Sequence, residues 1–375
     1  MSRAFLYMVV KRYMEYKRLT VMQSLYTLHR INPSRLFFSD KDDQRLQAET
    51  AATMINARLP RPTLTFYPPS KQGPSMDFTL VGSTKDRIVA LDYLGSAFLY
   101  DDALRAVYPL PSMKGPKQNY PVSVAVGDDL FVMSREPHPF GHSAEALIDH
   151  TYWWPRSEMH WHSIPPPPYV KPEEELNQLG CGWYSEILKG SVYDYTAVVE
   201  SDVWVSAPNY GTYSFDMKKD FYNPDQGAPF RLGQWSKVGD WVLPFRGRAV
   251  YAPELKLWFG FSEQEDDNGL SNRFICAADL EKAGAAQPPV VSHQWGYTAP
   301  NDQKYNSTAS FLVHLGTGGR FCVANFFTGV RRHSMAVLTG VEVTRCGEGE
   351  ALRFIEHKTY RYGGLSRGQY HVCLL

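Results

Sequence analysis

Apolar residues recur along the chain in short runs separated by polar turns, and one hairpin pattern returns five times. Each copy has an apolar run, a turn containing Gly, Asp, Ser or Pro-Glu, and a second run rich in β-branched and aromatic residues. Such runs and turns are typical of β-hairpins. The pattern therefore predicts hairpins over residues 78–91, 124–133, 196–206, 249–261 and 311–326.

A third run follows each hairpin, and in four copies it ends in an aspartate. These are Asp101, Asp149, Asp216 and Asp279, while Glu342 lies near the same position of the fifth copy. An aspartate at a strand end can accept a hydrogen bond from the backbone two residues further on and so begin a turn. The pattern indicates structural rather than catalytic carboxylates.

A fourth apolar run, often followed by proline, completes each copy. Clear versions lie at 107–111, 161–165 and 235–239, and looser ones at 291–295 and 352–357. Proline after an apolar run suits an outer edge strand, where a missing N–H removes no ladder hydrogen bond. Four strands per repeated unit is the pattern of a propeller blade.

The two ends of the chain supply one further unit. Runs at 5–10, 25–31 and 64–68 give three strands, and the run 369–375 gives the missing innermost strand. Pairing the first and last strands in one blade would close a ring and remove exposed sheet edges. We therefore predict an all-β protein, a single closed β-propeller of about six four-stranded blades. Five or seven blades are alternatives, because residues 170–192 are hard to place.

The prediction assigns residues 1–375 to one domain and gives each blade its bounds. Residues 5–68 hold three strands of the closing blade, and residues 369–375 hold its fourth. The remaining blades are expected at 76–111, 121–165, 193–239, 247–296 and 309–358.

The repeated units resemble those of kelch-type propellers. The third-strand Tyr-x-x-Asp and the fourth-strand Trp-x-x-apolar pattern occupy matching places in residues 212–238, although the family's double glycine is displaced to Gly318-Gly319. The phrases LHRINPSRLFF, MDFTLVGSTKDRIVALD and WVLPFRGRAVYAPELKLWFGFS are similar to those of a large group of uncharacterised plant kelch-like proteins, expanded in grasses. The resemblance covers nearly the whole chain. It implies a propeller and a plant origin, and it implies no activity.

Composition and charge narrow the classes of partner. Lys plus Arg and Asp plus Glu each number 39 in 375 residues, so the net charge gives no reason to expect nucleic acid or an anionic membrane. The apolar run 4–10 is too short to span a bilayer and lacks a signal-peptide cleavage site. The five cysteines form no Cys-x-x-Cys pair, and Cys276 and Cys322 lie in apolar runs. We expect buried thiols in a cytoplasmic or nuclear protein.

His160 and His162 flank Trp161 and would share one face of a strand, as two zinc ligands could. A zinc site needs a third ligand and usually a fourth, which upstream histidines would have to supply. The stretch instead aligns with other fourth strands, since Trp161 takes the position of Trp235. The histidines then point away from the face that carries Trp161. We expect an outer strand and no metal site.

Three other stretches resemble catalytic or binding motifs but lack the context that those motifs need. Residues 364–368 read G-x-S-x-G, yet a nucleophile elbow needs a following helix and later Asp and His residues, so a turn before the last strand is expected. The glycine-rich residues 315–320 join two strands, whereas a phosphate loop precedes a helix. The acidic residues 263–269 lack calcium-loop spacing. We expect no catalytic or cofactor-binding residue.

Aromatic side chains in loops are the remaining candidates for function. Trp153 and Trp154 lie at a strand-to-strand turn, where they would either anchor a partner or pack between blades. Trp183 and Tyr184 close the longest insertion between blades, which opens with a helix start at residues 171–176. Binding features concentrate on such loops. These four residues are the candidate interaction site.

We therefore expect a non-enzymatic scaffold that binds another protein or a ligand through loops on one face, without a cofactor. Two alternatives stay open. One is an enzyme with its site in the central channel, since a fold by itself does not decide activity. The other is a ubiquitin-ligase adaptor without an F-box, because the strand pattern begins at residue 4 and leaves no room for that helical module.

Overall fold

The structure is a computed structural model. It describes residues 3–15, 22–38, 54–68, 76–117, 121–149, 159–179, 182–192, 195–217, 219–220, 231–265, 271–296, 305–316, 318–329, 333–346, 351–367 and 372–375. Strands dominate these residues, which bears out the all-β prediction.

The strands in chain order are β1 (Leu6–Glu15), β2 (Met22–Ile31), β3 (Met54–Ala57), β4 (Leu64–Phe66), β5 (Met76–Val81), β6 (Arg87–Asp92), β7 (Ala97–Asp101), β8 (Ala106–Leu110), β9 (Val122–Val126), β10 (Asp129–Met133), β11 (Ala144–Asp149), β12 (Met159–Ile164), β13 (Tyr195–Val199), β14 (Asp202–Ala207), β15 (Gly211–Asp216), β16 (Lys219–Asp220), β17 (Arg231–Leu232), β18 (Trp235–Gly239), β19 (Arg246–Ala252), β20 (Leu257–Glu265), β21 (Ser271–Ala278), β22 (Val291–Gly296), β23 (Tyr305–His314), β24 (Arg320–Gly329), β25 (His333–Arg345), β26 (Leu352–Arg367) and β27 (Val372–Leu374). A 3-10 helix spans Pro33–Leu36, and the helices are α1 (Glu173–Gln178) and α2 (Trp183–Lys189).

Within the described residues the strands form groups of four neighbours that follow the chain. Their orders are β5-β6-β7-β8, β9-β10-β11-β12, β13-β14-β15-β18, β19-β20-β21-β22, β23-β24-β25-β26 and β27-β1-β2-β4. All five predicted hairpins are therefore confirmed. The pairing of the chain ends is confirmed as well, since Val10 pairs with Val372 and Met8 with Leu374. Ring closure and the number of blades stay predictions.

The chain divides into two compact units. One comprises residues 1–72, 250–277 and 293–375, and the other comprises residues 73–249 and 278–292. We refer to them as unit 1 and unit 2.

In unit 2 the sheet β9–β12 buries both of its faces. Leu130 and Val132 of β10 pack with Val89 of β6, whereas the alternate residues Phe131 and Met133 belong to a second core with β14 and β15. Every residue of β10 is buried as a result. This explains why the strand reads as a continuous apolar run rather than an alternating one.

Unit 1 shows the same arrangement at β24. Phe321 and Val323 pack in one core with Phe259, while Cys322 and Ala324 pack in another with Met8. A strand sandwiched in this way needs a neighbouring layer on each side.

Two tryptophans at equivalent places of the fourth strands join successive sheets of unit 2. The indole N–H of Trp161 in β12 donates to the carbonyl of Pro111, which directly follows β8, at 2.7 Å. Trp235 in β18 donates in the same way to Pro165, which directly follows β12, at 2.8 Å. The predicted Trp-x-x-apolar pattern thus marks a hydrogen bond as well as a buried face.

Two of the four strand-end aspartates start turns as predicted. Asp279 Oδ1 accepts from the backbone N–H of Glu281 at 3.1 Å, and Asp101 Oδ1 accepts from that of Leu104 at 2.8 Å. Glu342 differs, because β25 continues to Arg345 and places this side chain inside a strand. There it accepts from Arg320 Nε at 3.0 Å.

Two parts of unit 1 depart from the sequence prediction. Residues 363–367 do not form a turn; they belong to β26, which bulges opposite residues 333–335, with Gly364 at φ +68°. A bulge uses glycine for the same left-handed geometry that a turn would need. The strand β3 was not predicted at all. It adds in parallel to β26, with Met54 opposite Thr359, as a fifth strand.

Gly340 in β25 gives a test of the packing in unit 1. An added Cβ there would lie 2.4 Å from the carbonyl oxygen of Leu36, at the end of the 3-10 helix. We expect Gly340→Ala to lower the free energy of unfolding by about 1–3 kcal/mol, because backbone must move. Urea denaturation measures it. Gly284→Ala, whose Cβ would meet nothing within 4 Å, is the control, and equal losses in the two variants would contradict this packing.

Candidate functional site

The residues between β12 and β13 form the long insertion that the sequence singled out, and they contain α1 and α2. Pro172 is the N-cap residue of α1. Three glutamates lie in the first turn, where the positive end of the helix dipole stabilises their charges. Helices of six and seven residues are too short to persist alone. Burial of the Leu176 and Ile187 side chains stabilises them.

Tyr169 anchors this insertion to β15 and to the loop before it. Its ring stacks on Tyr210 at 5.0 Å between centroids and 14° between planes, and it contacts Tyr213 at 5.1 Å. Its hydroxyl donates to the carbonyl of Gly190 at 3.1 Å. Burial raises the pKa of this hydroxyl well above its ordinary range, so it stays a protonated donor. A Cβ added at Gly190 would lie only 2.9 Å from the Tyr169 ring, so glycine leaves the space that this ring occupies.

Two further hydrogen bonds tie the end of the insertion to neighbouring loops. Asn209 Nδ2 donates to the carbonyl of Lys189 at 2.9 Å. The N–H of Val192 donates to the carbonyl of Arg135 at 2.8 Å. The insertion is thus fixed to the β10–β11 loop and to the β14–β15 loop, and it presents a defined surface.

A shallow pocket lies where the insertion meets these loops. It measures about 260 Å³, but this figure includes open solvent, so the enclosed space is far smaller. Pockets for drug-sized ligands usually measure about 300–1,000 Å³. The pocket is therefore too small to enclose a drug-sized molecule. The lining residues are Pro137, Tyr169, Val170, Lys171, Leu176, Ile187, Gly190 and Tyr210.

Apolar side chains are exposed on the same insertion. Leu179 is 42% exposed and Tyr184 is 50% exposed. Trp183 begins α2, but its side chain lies outside the described residues, and so do Trp153 and Trp154. Of the four residues predicted for interaction, the structure thus places the side chain of Tyr184 at the surface, on α2.

A buried ion pair organises the neighbouring loop between β8 and β9. Lys117 Nζ lies 2.6 Å from Glu145 Oε1 and also donates to the carbonyls of Gly115 and His142. Glu145 accepts from the N–H groups of Lys114 and Gly115. Burial lowers the pKa of Lys117, and Glu145 opposes this shift. The role of the pair is structural, since each group is fully enclosed and bonded.

A second cluster of polar residues lies near the start of the first strand in each of four strand groups. Asp77 is the second residue of β5, Ser123 the second of β9, Thr196 the second of β13 and Arg248 the third of β19. Thr196 and Arg248 are direct partners where β13 pairs in parallel with β19. We call these four residues the inner-strand row.

The inner-strand row contains enclosed polar atoms that lack a partner at hydrogen-bond geometry within the described residues, although the Ser123 hydroxyl lies close enough to lower the pKa of Asp77. These atoms are Asp77 Oδ2 and Ser123 Oγ. Burial raises the pKa of Asp77, while Ser123, the backbone at Phe78 and the charge of Arg248 oppose the shift. Unsatisfied polar atoms are uncommon inside proteins and often mark a bound water, ion or ligand.

Arg248 completes the electrostatics of this row. Surrounding protein lowers its pKa, yet its side chain is exposed. Sequence reasoning missed the row, although a charged residue near the start of an apolar inner strand, as in MDFTLV and RGRAVYA, was its signal.

The histidine pair lies where the sequence predicted, on an outer strand. β12 pairs with β11 at the edge of its sheet, with His160 opposite Ile148 and His162 opposite Ala146. Trp161 is buried on the other face. Across the described part of the chain, no three His, Cys, Asp or Glu side chains are placed to hold a metal ion together.

The cysteines that the structure describes are free thiols. Cys276 and Cys322 are fully buried, as predicted, and burial raises the pKa of Cys276 to about 12. A thiol with so high a pKa is a poor nucleophile. Of the described helices, none has the length and apolar character to cross a membrane.

The family of this chain is known from its sequence. The chain belongs to a family of proteins of unknown function, DUF1668, whose model matches residues 3–362. The match covers nearly the whole chain and assigns no activity. No curated protein shows a significant match to the chain.

Solved structures give remote similarities only. The β-propeller domain of Cps50 (Swd1) from Myceliophthora thermophila covers 92% of this chain and 98% of its own, at 8% identity and a TM-score of 0.39. The dihydro-heme d1 dehydrogenase NirN, in complex with DHE, covers 97% and 76%, at 10% identity and 0.36. The WD40 domain of SCAP from fission yeast covers 79% and 69%, at 8% identity and 0.29. Scores below 0.5 carry no inference about this chain.

Removal of the Glu145 carboxylate tests the structural role of the buried pair. Glu145→Gln would leave the Lys117 ammonium buried without its counter-ion, so we expect the free energy of unfolding to fall by about 3–5 kcal/mol. Asp240→Asn removes an ion pair with Lys237 at the surface and should cost only about 0–1 kcal/mol. Urea denaturation compares the two, and similar losses would contradict a buried pair.

The raised pKa of Asp77 predicts how stability depends on pH. The folded state holds this proton more tightly than the unfolded chain, so the stabilisation is complete below about pH 4 and is lost as pH rises through the folded-state pKa. Asp77→Asn cannot ionise, so its stability relative to wild type should increase over that rise.

Urea denaturation at a series of pH values measures the difference between Asp77→Asn and wild type. Asp240→Asn, at a carboxylate that is 91% exposed, is the control for loss of one surface charge. A difference between Asp77→Asn and wild type that stays constant from pH 3 to pH 8 would show that Asp77 has an ordinary pKa.

Proposed function

We propose that this chain is a non-enzymatic scaffold that binds a partner protein through the insertion between β12 and β13, held on a closed propeller of six kelch-like blades. The observation that carries the proposal is the insertion itself. It adds a pocket and exposed apolar side chains to the sheet framework.

The propeller architecture is supported by the strand groups and by the core. Each described group has four strands in chain order, and the last strand of the chain joins the first. β10 and β24 each bury both faces. A ring supplies two neighbours to every sheet and leaves no sheet face open. The kelch type and a plant origin rest on the sequence phrases quoted above.

A protein partner fits the insertion pocket better than a small molecule does. The pocket is small, and it lies on the same insertion as the exposed side chains of Leu179 and Tyr184. Tyrosine is a frequent hot-spot residue at protein interfaces. The three exposed glutamates of α1 favour a partner segment that carries Lys or Arg beside an apolar anchor.

Trp153 and Trp154 remain proposed as a second anchor, and Trp183 as part of the first. We place the action of the protein in the cytoplasm or nucleus, which the free buried thiols support. An adaptor role in a ubiquitin ligase is compatible with a scaffold, but no observation favours it. The inner-strand row favours a separate capacity for a small ligand.

A capture experiment tests the scaffold proposal. The whole chain, immobilised as bait in plant extract, should retain specific proteins that quantitative mass spectrometry identifies. Leu179→Ser combined with Tyr184→Ala should reduce their recovery at least about tenfold, as loss of hot-spot residues does.

The matched control is Leu104→Ser combined with Tyr108→Ala, which removes a leucine and a tyrosine of similar exposure away from the insertion. This control should leave recovery unchanged. Equal recovery with the two double variants, or no specific protein with wild type, would overturn the proposal.

A further inference from the structure

Asp77, Ser123 and Arg248 form a set of complementary groups whose polar atoms the described residues do not satisfy in full. Asp77 Oδ2 and Ser123 Oγ lack a partner at hydrogen-bond geometry in the described residues, although the Ser123 hydroxyl lies close enough to lower the pKa of Asp77. Asp77 and Arg248 influence one another electrostatically, yet no ion pair joins them among the described contacts. An acid, a hydroxyl and a guanidinium thus lie near one another within one unit, with bonding capacity left over.

Leaving such groups unused is costly unless something satisfies them. A buried polar atom without a partner costs about 1–3 kcal/mol, and a buried charge costs more. Glu145 shows how an enclosed carboxylate is satisfied, since it accepts from Lys117 at 2.6 Å and from two backbone N–H groups. Asp77 lacks such a set of bonds within the described residues, and a polar occupant would supply it.

These groups occupy similar positions in their strands, and Asp77 lies close enough to Ser123 and Arg248 to interact with both. Each lies at the second or third residue of an inner strand, where β5, β9, β13 and β19 begin. The residues that follow them, such as Phe78 and Val124, are buried in the core and fix the strand positions. Rigid strands hold a binding constellation more accurately than loops do.

The chemistry of the row defines the occupant. A guanidinium binds a carboxylate in paired hydrogen bonds, so Arg248 would bind a carboxylate of the ligand. Asp77 Oδ2 and Ser123 Oγ can accept from an ammonium group. A ligand that satisfies all three carries a carboxylate and an ammonium a few ångströms apart.

We propose that the inner-strand row binds a free α-amino acid, with its carboxylate on Arg248 and its ammonium on Asp77 and Ser123. The four residues of the site belong to unit 2, and none lies in the insertion. The site can therefore be tested separately from the scaffold proposal. The exposed side chain of Arg248 gives the ligand access from solvent. The polar contacts recognise the backbone part of the amino acid.

Calorimetric titration of the whole protein with each of the twenty common α-amino acids tests the site. At least one should bind with a dissociation constant in the millimolar range or tighter. Two matched analogues of that amino acid separate the contributions: the α-keto acid lacks the ammonium, and the primary amine lacks the carboxylate. Each should bind at least about tenfold more weakly, since a charged hydrogen bond contributes about that much.

Two variants test the residues. Asp77→Asn and Arg248→Met should each weaken binding at least about tenfold, whereas Asp240→Asn and Arg61→Met, at exposed positions, should leave it unchanged. Thermal unfolding of each variant without ligand identifies any that fails to fold. Asp77→Asn keeps the shape of the side chain, so it can decide the question if Arg248→Met does not fold.

Three results would overturn the proposal. The first is no binding of any α-amino acid at ten millimolar. The second is equal affinity for the keto acid, which would mean that Arg248 attracts anions in general. The third is unchanged affinity in folded Asp77→Asn. Loss of partner capture by the insertion variants, with amino-acid binding intact, would leave this site standing.

Discussion

Burial of both faces of the same sheet is the constraint on which this structure depends. In β10, Leu130 and Val132 serve one core and Phe131 and Met133 serve the next, so the strand cannot be stable without a layer on each side. A sheet with two apolar faces cannot end a stack in water. Repetition of the four-stranded group is therefore a requirement of the core, and the fourth-strand tryptophans reinforce it by bonding to the preceding group.

This constraint decides where function can lie. Side chains in the middle strands are committed to packing, and a polar substitution there would leave a buried group without a partner. Freedom remains at the loops and at the inner edge of each group. The insertion held by Tyr169 uses the first of these places, and the inner-strand row uses the second.

The repeat could be predicted from sequence because it is local. Apolar runs, turn residues and strand-end aspartates all act within a few residues of one another, so Asp101 and Asp279 start their turns as expected. β3 could not be predicted, because MINA has little β character of its own and owes its structure to β26, some 300 residues away. The turn predicted at Gly364 was wrong for a different reason, because a bulge and a turn both use glycine in the left-handed backbone conformation.

The candidate sites divide along the same line. The insertion was predictable because its length and helix-start residues interrupt the repeat, although only the structure shows that Tyr169 fixes it in place. The inner-strand row joins residues more than 170 positions apart, and each alone looks like an ordinary strand residue. Asp77 becomes part of a polar cluster only when β5, β9 and β19 are brought together. In an isolated strand it would be a solvated carboxylate. Chemistry that depends on the assembly of distant strands is therefore the part of this family that single-sequence reasoning cannot reach, and a guanidinium whose charge acts on an acid of a distant strand is the feature by which a structure shows it.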